Sequence, residues 1–279
     1  MSNRSPEELI HEILKFIKKE RELYGDFSFS PPQKEETIYG SEEQQSDTSS
    51  IKEPSTQESQ STPTDMNGFE AQEALFDQGD ESREIYYKIG KCNTLEELNE
   101  LCKKADVLKT DLPDTNLVFG VGNPNADLML IGEAPGAEED KQKEPFVGAA
   151  GQLLNKILAA INFDRSDVYI ANILKHRPPN NRNPLPEERQ KSLPFLLKQI
   201  ELVEPKLILS LGKVSAQTLL ENDNSLSSMR GTFHTFRGKY QLMATYHPAA
   251  LLRHAKWKRP TWEDVQLLRE RYDELGCKP

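Results

Sequence analysis

An apolar run that leads directly into a glycine-containing turn occurs at residues 128–136, which read LMLIGEAPG. Three later apolar runs end in a similar way, at Asn172, Gly212 and His247. Helix-forming sequence follows each run, and this alternation predicts a mostly parallel sheet with helices on both faces. We therefore expect an α/β fold, a three-layer α/β/α sandwich with a four-stranded, mostly parallel sheet.

The same pattern predicts the bounds of the elements. The four strands are predicted at 127–132, 168–172, 206–211 and 240–245. Helices are predicted near 150–161, 186–202, 213–221 and 248–253. An earlier helix begins with a capping box of Thr94 and Glu97. A last helix is predicted to begin at Thr261 and to stop at Gly276, because threonine caps helices and glycine ends them.

Charge and composition divide the chain into three parts. Residues 1–25 carry apolar side chains at helical spacing behind a capping pattern, which predicts an amphipathic helix. Residues 26–82 hold 14 acidic and two basic residues, a net charge of −12, against −10 for the whole chain. Their polar composition predicts a disordered acidic linker, either a spacer or a docking segment for a protein partner. Residues 83–279 form the predicted globular domain.

Cysteine content and hydropathy indicate the compartment. The three cysteines, Cys92, Cys102 and Cys277, form no CxxC pair, which is typical of reduced thiols in a cytosolic protein. No stretch approaches the roughly 20 apolar residues of a membrane span. The N-terminus lacks the apolar core of a signal peptide. We expect a cytoplasmic protein without a membrane segment.

Polar side chains follow the predicted strands at their carboxyl ends, where open α/β sheets bind ligands. Gly132 allows the main chain to approach a ligand closely, and Glu133 follows it. Asn172 offers one acceptor and two donors, which suit the Watson–Crick edge of a pyrimidine, although it is equally suited to capping a loop. His247 is either structural or catalytic at this position.

Three consecutive acids, Glu138, Glu139 and Asp140, follow the first strand. A solvated loop with one helix-capping acid explains Glu138 and Asp140. We select Glu139 as the functional acid of this group. Farther along the same loop, Phe146 lies between Pro145 and a glycine, and it is either a core plug or a flat platform under a base.

Basic residues are concentrated in two segments that could contact phosphates. A proline-rich loop at 175–182 contains Arg177 and Arg182, and a merely solvated loop is the alternative. Residues 224–262 hold seven Lys or Arg, including Arg253, and no acid. Beside Arg253, Leu251 or Leu252 could enter a base stack as a wedge, unless core burial explains them.

Together these motifs resemble the uracil-DNA glycosylase superfamily, and in particular its family 4. The matching pieces span residues 114–255 in order: GEAPGAEED at 132–140, PFVG at 145–148, AGQLL at 150–154, NILKHRPPNNRNP at 172–184, PFLLKQIELVEPKLILSLG at 194–212 and HPAALLR at 247–253. The resemblance implies a four-stranded parallel sheet between helices. It also implies hydrolysis of the N-glycosidic bond of uracil in DNA, which leaves an abasic site for base excision repair.

The resemblance also implies roles for individual residues. Asn172 would recognise the uracil edge, Phe146 would stack on the ring, and His247 would donate to the uracil oxygen. Glu133 and Glu139 would position water or stabilise the cationic sugar, and the share of each is open. The expected partner is uracil-containing DNA, bound by a monomer in the bacterial cytoplasm near the nucleoid.

One departure from the family pattern concerns a cofactor. Family 4 members usually bind a four-iron, four-sulfur cluster through four cysteines. His176 and Ser192 stand at two of the expected cysteine positions, and residues 105–107 read ADV where the N-terminal cysteines are expected. Three scattered cysteines cannot supply four thiolates. We predict no metal and no cluster, with apolar packing or polar contacts in its place.

A second departure from the family pattern concerns the Phe146 loop. Lys143 stands where the family often has glycine, which bears on the shape of the Phe146 loop. The Pro-Asn character of the loop at 175–184 argues against covalent capture of DNA through a histidine.

A catalytically weak DNA-binding scaffold that recruits a partner through the linker is the second hypothesis. A nucleotide-binding enzyme is the third, and it lacks the glycine patterns of such enzymes.

Overall fold

The computed structural model describes residues 80–278. The predicted helix at 1–25 and the predicted linker up to residue 79 lie outside the described residues. The first described helix begins at Asp80, three residues before the predicted domain boundary. Within 80–278, every helix is too short or too polar to cross a membrane.

Strands and helices alternate along the described chain as the sequence predicts. The strands are β1 Val121–Gly122, β2 Leu128–Gly132, β3 Tyr169–Asn172, β4 Leu207–Leu211, β5 Phe233–Phe236 and β6 Tyr240–Thr245. The helices are α1 Asp80–Lys91, α2 Leu95–Lys104, α3 Ala137–Gln142, α4 Ala149–Ala160, α5 Pro186–Val203, α6 Lys213–Leu220, α7 Leu226–Met229, α8 Pro248–Arg253 and α9 Lys258–Glu274.

The strands form one six-stranded sheet in the order β1-β3-β2-β4-β6-β5. The four predicted strands are β2, β3, β4 and β6, and they pair in parallel at the centre. The predicted strand count of four was wrong, because β1 and β5 add an antiparallel strand at each edge. β1 has only two residues, and β5 turns back into β6 through Arg237 and Gly238, which have φ of 50° and 65°.

Both faces of the sheet are covered by helices. Alternate residues of β2 belong to different cores: Leu128 and Leu130 pack with α4 and α9, while Met129 and Ile131 pack with α5 and α6. All four side chains are fully buried. A strand that is buried on both faces reads as a continuous apolar run, which is why β2 was recognisable from sequence. The α/β/α sandwich is confirmed.

A third, smaller core lies on the outer side of α5. Ile89 of α1 and Leu98 and Cys102 of α2 are buried there against Phe195. Helix α2 begins at the predicted cap, where Glu97 donates its amide to the Thr94 hydroxyl over 3.1 Å. The carboxylate of Glu97 accepts from the main-chain amide of Asn93 rather than from Thr94 itself. These two helices close the domain on the side of α5 that faces away from the sheet.

The predicted start of the last helix was wrong. α9 begins at Lys258, so that Thr261 lies inside the helix and its hydroxyl donates to the main-chain oxygen of Trp257. Asp264 has a tertiary role and binds Arg230 and Thr245 instead of a helix terminus. The predicted stop is confirmed, since Gly276 follows the helix with a φ of 64°.

Candidate active site

The carboxyl ends of the central strands bring the predicted site residues together. Gly132 and Asn172 are paired residues at the ends of β2 and β3. At the end of β4, the amide of Gly212 donates to the oxygen of Thr245 at the end of β6. His247 follows two residues later, and a Cβ on Gly212 would lie 3.0 Å from its Cβ. The parallel sheet therefore places these groups along one edge.

Gly132 is enclosed by the two side chains that were predicted to hold a base. A Cβ on Gly132 would lie 2.3 Å from Oδ1 of Asn172 and 2.6 Å from Cζ of Phe146. Contacts below 3.0 Å are excluded for real side chains, so only glycine fits here. The amide and the aromatic ring therefore both lie against the position that a side chain on residue 132 would occupy.

Phe146 reaches this place through an unusual loop conformation. Its φ is 54°, in the left-handed region, and its side chain is 5% exposed. Helix α4 crosses directly behind the loop, because a Cβ on Gly151 would lie 1.8 Å from the main-chain oxygen of Phe146. The Phe146 ring stacks on the imidazole of His247, with centroids 5.4 Å apart and an interplanar angle of 29°. Phe146, Asn172 and His247 form one cluster.

Asn172 presents an acceptor that the described protein leaves unused. The residue is 2% exposed, and Oδ1 is buried without a hydrogen-bond partner among residues 80–278. A buried acceptor without a partner costs about 1–3 kcal/mol. Such an atom at a strand end is typical of a site that receives a donor from a ligand.

The imidazole of His247 is held in one tautomer. His247 is the N-cap of α8, and Nδ1 accepts from the amide of Ala249 over 3.1 Å. Nδ1 therefore carries a lone pair, and in the neutral ring the proton is on Nε2. Burial and, to a smaller extent, the charge of Arg253 lower the pKa of His247 to about 4, with Glu139 opposing the shift. At neutral pH the ring is an uncharged donor through Nε2.

Glu139 holds the loop that carries Phe146. Oε1 accepts from the amides of Val147 and Gly148 over 3.0 and 2.9 Å, and Oε2 accepts from the amide of Gly136 over 3.2 Å. The carboxylate therefore connects the turn after β2 with the segment that follows Phe146. Its neighbour Asp140 accepts from a main-chain amide as well, that of Asn116.

Glu133 is the other acid that the sequence indicated, and its surroundings differ. It is partly buried at the end of β2, and burial raises the pKa of its carboxyl while Arg189 opposes the shift. Among residues 80–278, no side chain or amide donates a hydrogen bond to this carboxylate. Glu133 is therefore the acid at this edge whose oxygens are available to water or to a cationic group.

The arginines of the loop after β3 have partners within the protein. Arg182 makes a bidentate pair with Glu188, at 2.8 and 2.7 Å, and a longer contact with Asp111. Nε of Arg177 donates to Oδ1 of Asn181 over 2.7 Å. The Glu188 pair holds Arg182 in a fixed orientation, and it also neutralises part of the charge that a phosphate would meet.

The two candidate leucines of α8 differ in burial. Leu251 is 2% exposed and belongs to the core, whereas Leu252 is 50% exposed. Arg253 is exposed beside Leu252. Three bases of the 224–262 segment pair with acids that lie outside it: Arg230 with Asp264, Lys239 with Glu204 and Arg259 with Glu263. The positive charge of this face is therefore lower than the sequence count suggests.

Two buried polar groups near the site were not recognised from the sequence. Lys175, expected in a basic loop, is completely buried, and its Nζ donates to the main-chain oxygen of Asn172 over 2.9 Å. Asp264 is 1% exposed and accepts from Arg230 and from Thr245, two residues before His247. The available signal was a lysine that directly follows an apolar run, as Lys175 follows 173–174.

Comparison with known families agrees with this geometry. A family model described as Uracil DNA glycosylase superfamily matches residues 119–267. The chain belongs to the uracil-DNA glycosylase superfamily. The matched region of this superfamily member includes all of the clustered residues and α8.

Three curated relatives carry the name type-4 uracil-DNA glycosylase, so that this superfamily member is family 4-like. The protein of Archaeoglobus fulgidus is 45% identical over 158 residues, which is 54% of this chain and 78% of the relative. That of Pyrobaculum aerophilum is 42% identical over 166 residues, 57% and 85% respectively. That of Thermotoga maritima is 39% identical over 175 residues, 62% and 91% respectively.

The residues at the expected cluster positions of this superfamily member do not suit an iron–sulfur cluster. Ser192 donates its hydroxyl to the main-chain oxygen of Ile173 over 2.7 Å, and Nδ1 of His176 lies 3.0 Å from the hydroxyl of Thr115. Both polar groups are therefore engaged within the protein. Among residues 80–278, no three His, Cys, Asp or Glu side chains are grouped as metal ligands. The donor set does not fit four-thiolate ligation.

Proposed function

We propose that this chain hydrolyses the N-glycosidic bond of deoxyuridine in DNA and leaves an abasic site. One observation carries the proposal: a buried Oδ1 of Asn172, without a partner among residues 80–278, lies close to Phe146, whose ring stacks on a neutral imidazole. Membership in the superfamily and the names of the type-4 relatives support the same reaction. The substrate base must leave the helix to reach these groups, at a cost of a few kcal/mol.

Recognition of uracil follows from the acceptor of Asn172. The N3–H group of uracil is a donor that can satisfy Oδ1, whereas N3 of cytosine is an acceptor whose lone pair would face the same oxygen. The site therefore rejects cytosine by leaving a buried polar pair unmatched. Phe146 supplies the flat apolar surface beside the ring.

Bond cleavage requires stabilisation of two opposite charges. The C1′–N1 bond breaks, its electron pair leaves with uracil, and the sugar becomes cationic. Nε2–H of His247 donates to the uracil oxygen as negative charge develops, which is worth about 3 kcal/mol by analogy with other oxyanion donors. Water then bonds to C1′, and the proton that it loses balances the charge on uracil.

The two acids have separate roles in this proposal. Glu133 has oxygens that accept no hydrogen bond from residues 80–278 and follows Gly132, so it is suited to orient water or to face the cationic sugar. Glu139 uses both oxygens on the amides of residues 136, 147 and 148, so it acts by holding Phe146 in place.

DNA contact is assigned to the exposed side chains near His247. Leu252 replaces Leu251 as the wedge, because a side chain buried in the core cannot enter a base stack. Arg253 is placed to contact a phosphate on the same side. Arg177 and Arg182 contribute to phosphate binding at the loop after β3, Arg182 in the orientation that Glu188 sets.

Excision from a uracil-containing oligonucleotide tests the proposal. We expect abasic sites with the native chain, and a loss of at least 10²-fold in the single-turnover rate for both Asn172→Ala and His247→Ala. Intact activity in both variants would reject the site. A gel shift of uracil-DNA without abasic sites would instead support the alternative, a DNA-binding scaffold.

We also propose that the chain works without an iron–sulfur cluster. Support comes from the engaged side chains of Ser192 and His176 and from a cysteine set that is too small. Iron and acid-labile sulfide analysis of protein purified anaerobically should give less than one iron per chain. Stoichiometric iron with a visible charge-transfer band would refute this proposal.

The oligomeric state and the linker partner are further proposals. We expect a monomer, and light scattering of the full chain with and without DNA measures this. The predicted docking of a protein partner lies in the linker, outside the described residues, and it stays a prediction.

A further inference from the structure

Lys175 is a fully buried lysine, three residues after Asn172 at the end of β3. Its Nζ donates to the main-chain oxygens of Asn172, over 2.9 Å, and of Phe119, over 3.3 Å. The side-chain oxygen of Gln199 is the third acceptor. All three acceptors are uncharged. Burying a cation without a carboxylate is costly even when it is hydrogen-bonded, so a gain other than stability is expected at this position.

The three acceptors belong to different parts of the fold. Asn172 ends β3, Phe119 lies before β1, and Gln199 is in the middle of α5. Nε2 of Gln199 donates to the oxygen of Phe119 over 3.0 Å and to the hydroxyl of Tyr169 over 3.3 Å. One ammonium group and one carboxamide therefore connect the end of β3 to α5 and to the segment before the edge strand.

The orientation of the Asn172 carboxamide is set by packing and by the position of its own main chain. Its Oδ1 has no hydrogen-bond partner among residues 80–278 that would fix the side chain. Packing against Gly132 limits its position on one side. Lys175 binds the main-chain oxygen of Asn172, two bonds from the Cα that bears the side chain. A shift of this main-chain segment would move Oδ1 relative to Phe146.

We infer that Lys175 is a positioning residue, which fixes the end of β3 and thereby aims the Asn172 carboxamide at the uracil edge. The inference rests on the proposed uracil excision and deepens it. Burial lowers the pKa of Lys175 to about 7, and the neutral amine still carries N–H donors.

A double-mutant cycle with Asn172 tests the inference on the full chain. Lys175→Met keeps the length of the side chain and removes the donors. We expect a single-turnover excision rate at least tenfold lower than that of the native chain, with affinity for uracil-DNA within threefold. In the Asn172→Ala background the same change should lower the rate less than twofold, because no carboxamide remains to be aimed.

Lys198→Met is the matched control. Lys198 lies on α5 next to Gln199, is 9% exposed and pairs with Glu201 over 2.7 Å. The Lys198→Met variant should excise uracil at the native rate. An equal loss for Lys175→Met in both backgrounds, or a folded Lys175→Met variant with native activity, would overturn the positioning role.

Two further outcomes are informative. If Lys175→Met does not unfold cooperatively, Gln199→Leu removes one acceptor and keeps the lysine; we expect the same coupling to Asn172 with a smaller effect, and additive losses would overturn the inference. Failure of the native chain to excise uracil would refute the proposed function itself. A native rate in Lys175→Met beside an active native chain would refute the positioning role alone.

Discussion

Gly132→Ala tests whether the site requires contact between the main chain of β2 and its two neighbours. The added Cβ would lie 2.3 Å from Asn172 Oδ1 and 2.6 Å from Phe146 Cζ. These distances are 1.1 Å and 0.8 Å shorter than the 3.4 Å at which ordinary van der Waals contact begins. Neither neighbour has room to withdraw, since Asn172 is 2% and Phe146 5% exposed. Both groups must therefore move by about an ångström.

A displacement of this size lowers both activity and stability. Misplacement by about 1 Å costs on the order of 10²-fold in rate. Overpacking a buried position costs about 1–3 kcal/mol in the free energy of unfolding. For a domain of this size, that lowers Tm by roughly 2–4 °C per kcal/mol. We therefore expect a folded variant with a Tm lowered by roughly 2–12 °C and about 1% of the native excision rate.

The assay is single-turnover excision from a uracil-containing oligonucleotide, with thermal unfolding measured on the same samples. Gly90→Ala is the matched control, because Gly90 lies on α1 with no atom within 4 Å of the added Cβ. It should keep the native rate and gain about 0.5–1 kcal/mol of stability. Excision by Gly132→Ala within twofold of the native rate would refute the reasoning.

Three other perturbations have definite expected outcomes. Glu139→Ala removes the acceptor of three loop amides, so excision should fall at least tenfold while affinity for undamaged DNA, measured by gel shift, is unchanged. Asp264→Ala leaves Arg230 half-buried without its carboxylate and should cost about 3–5 kcal/mol in urea unfolding; a loss below 1 kcal/mol would contradict this. The pKa of His247 is about 4 in the folded chain and 6.5 unperturbed, so the unfolded state binds more protons between these values, and stability should decrease as pH falls from 6.5 to 4. His247→Gln should flatten that part of the stability–pH curve.

The parts of the fold that sequence predicted are those with a strong local signal. The four central strands are continuous apolar runs because helices cover both faces, and their observed bounds lie within one residue of the predicted bounds. β1 has two residues and no pattern of its own. β5 was missed although Arg237-Gly238 between two aromatic segments is a hairpin signal. Edge strands depend on pairing partners that sequence reading alone does not supply.

The site residues that could be predicted from the sequence are also those with a local signal. Asn172 and His247 were recognisable because they stand at the ends of apolar runs, where topology alone brings them together. The roles of Glu139 and Lys175 depend on which main-chain atoms surround them, and that information is tertiary. Leu251 and Leu252 are neighbours in sequence, and only the orientation of α8 decides that the first enters the core and the second faces solvent.

The antiparallel strands at the two sheet margins have a consequence for behaviour in a crowded cell. An open edge of a parallel sheet is a template on which a foreign chain can form a ladder and begin to aggregate. Here one margin ends in a two-residue strand and the other in a hairpin of four residues paired with β6. Such short terminal strands offer little backbone to an incoming chain, so the buried ladder is protected from intermolecular growth without a covering subunit.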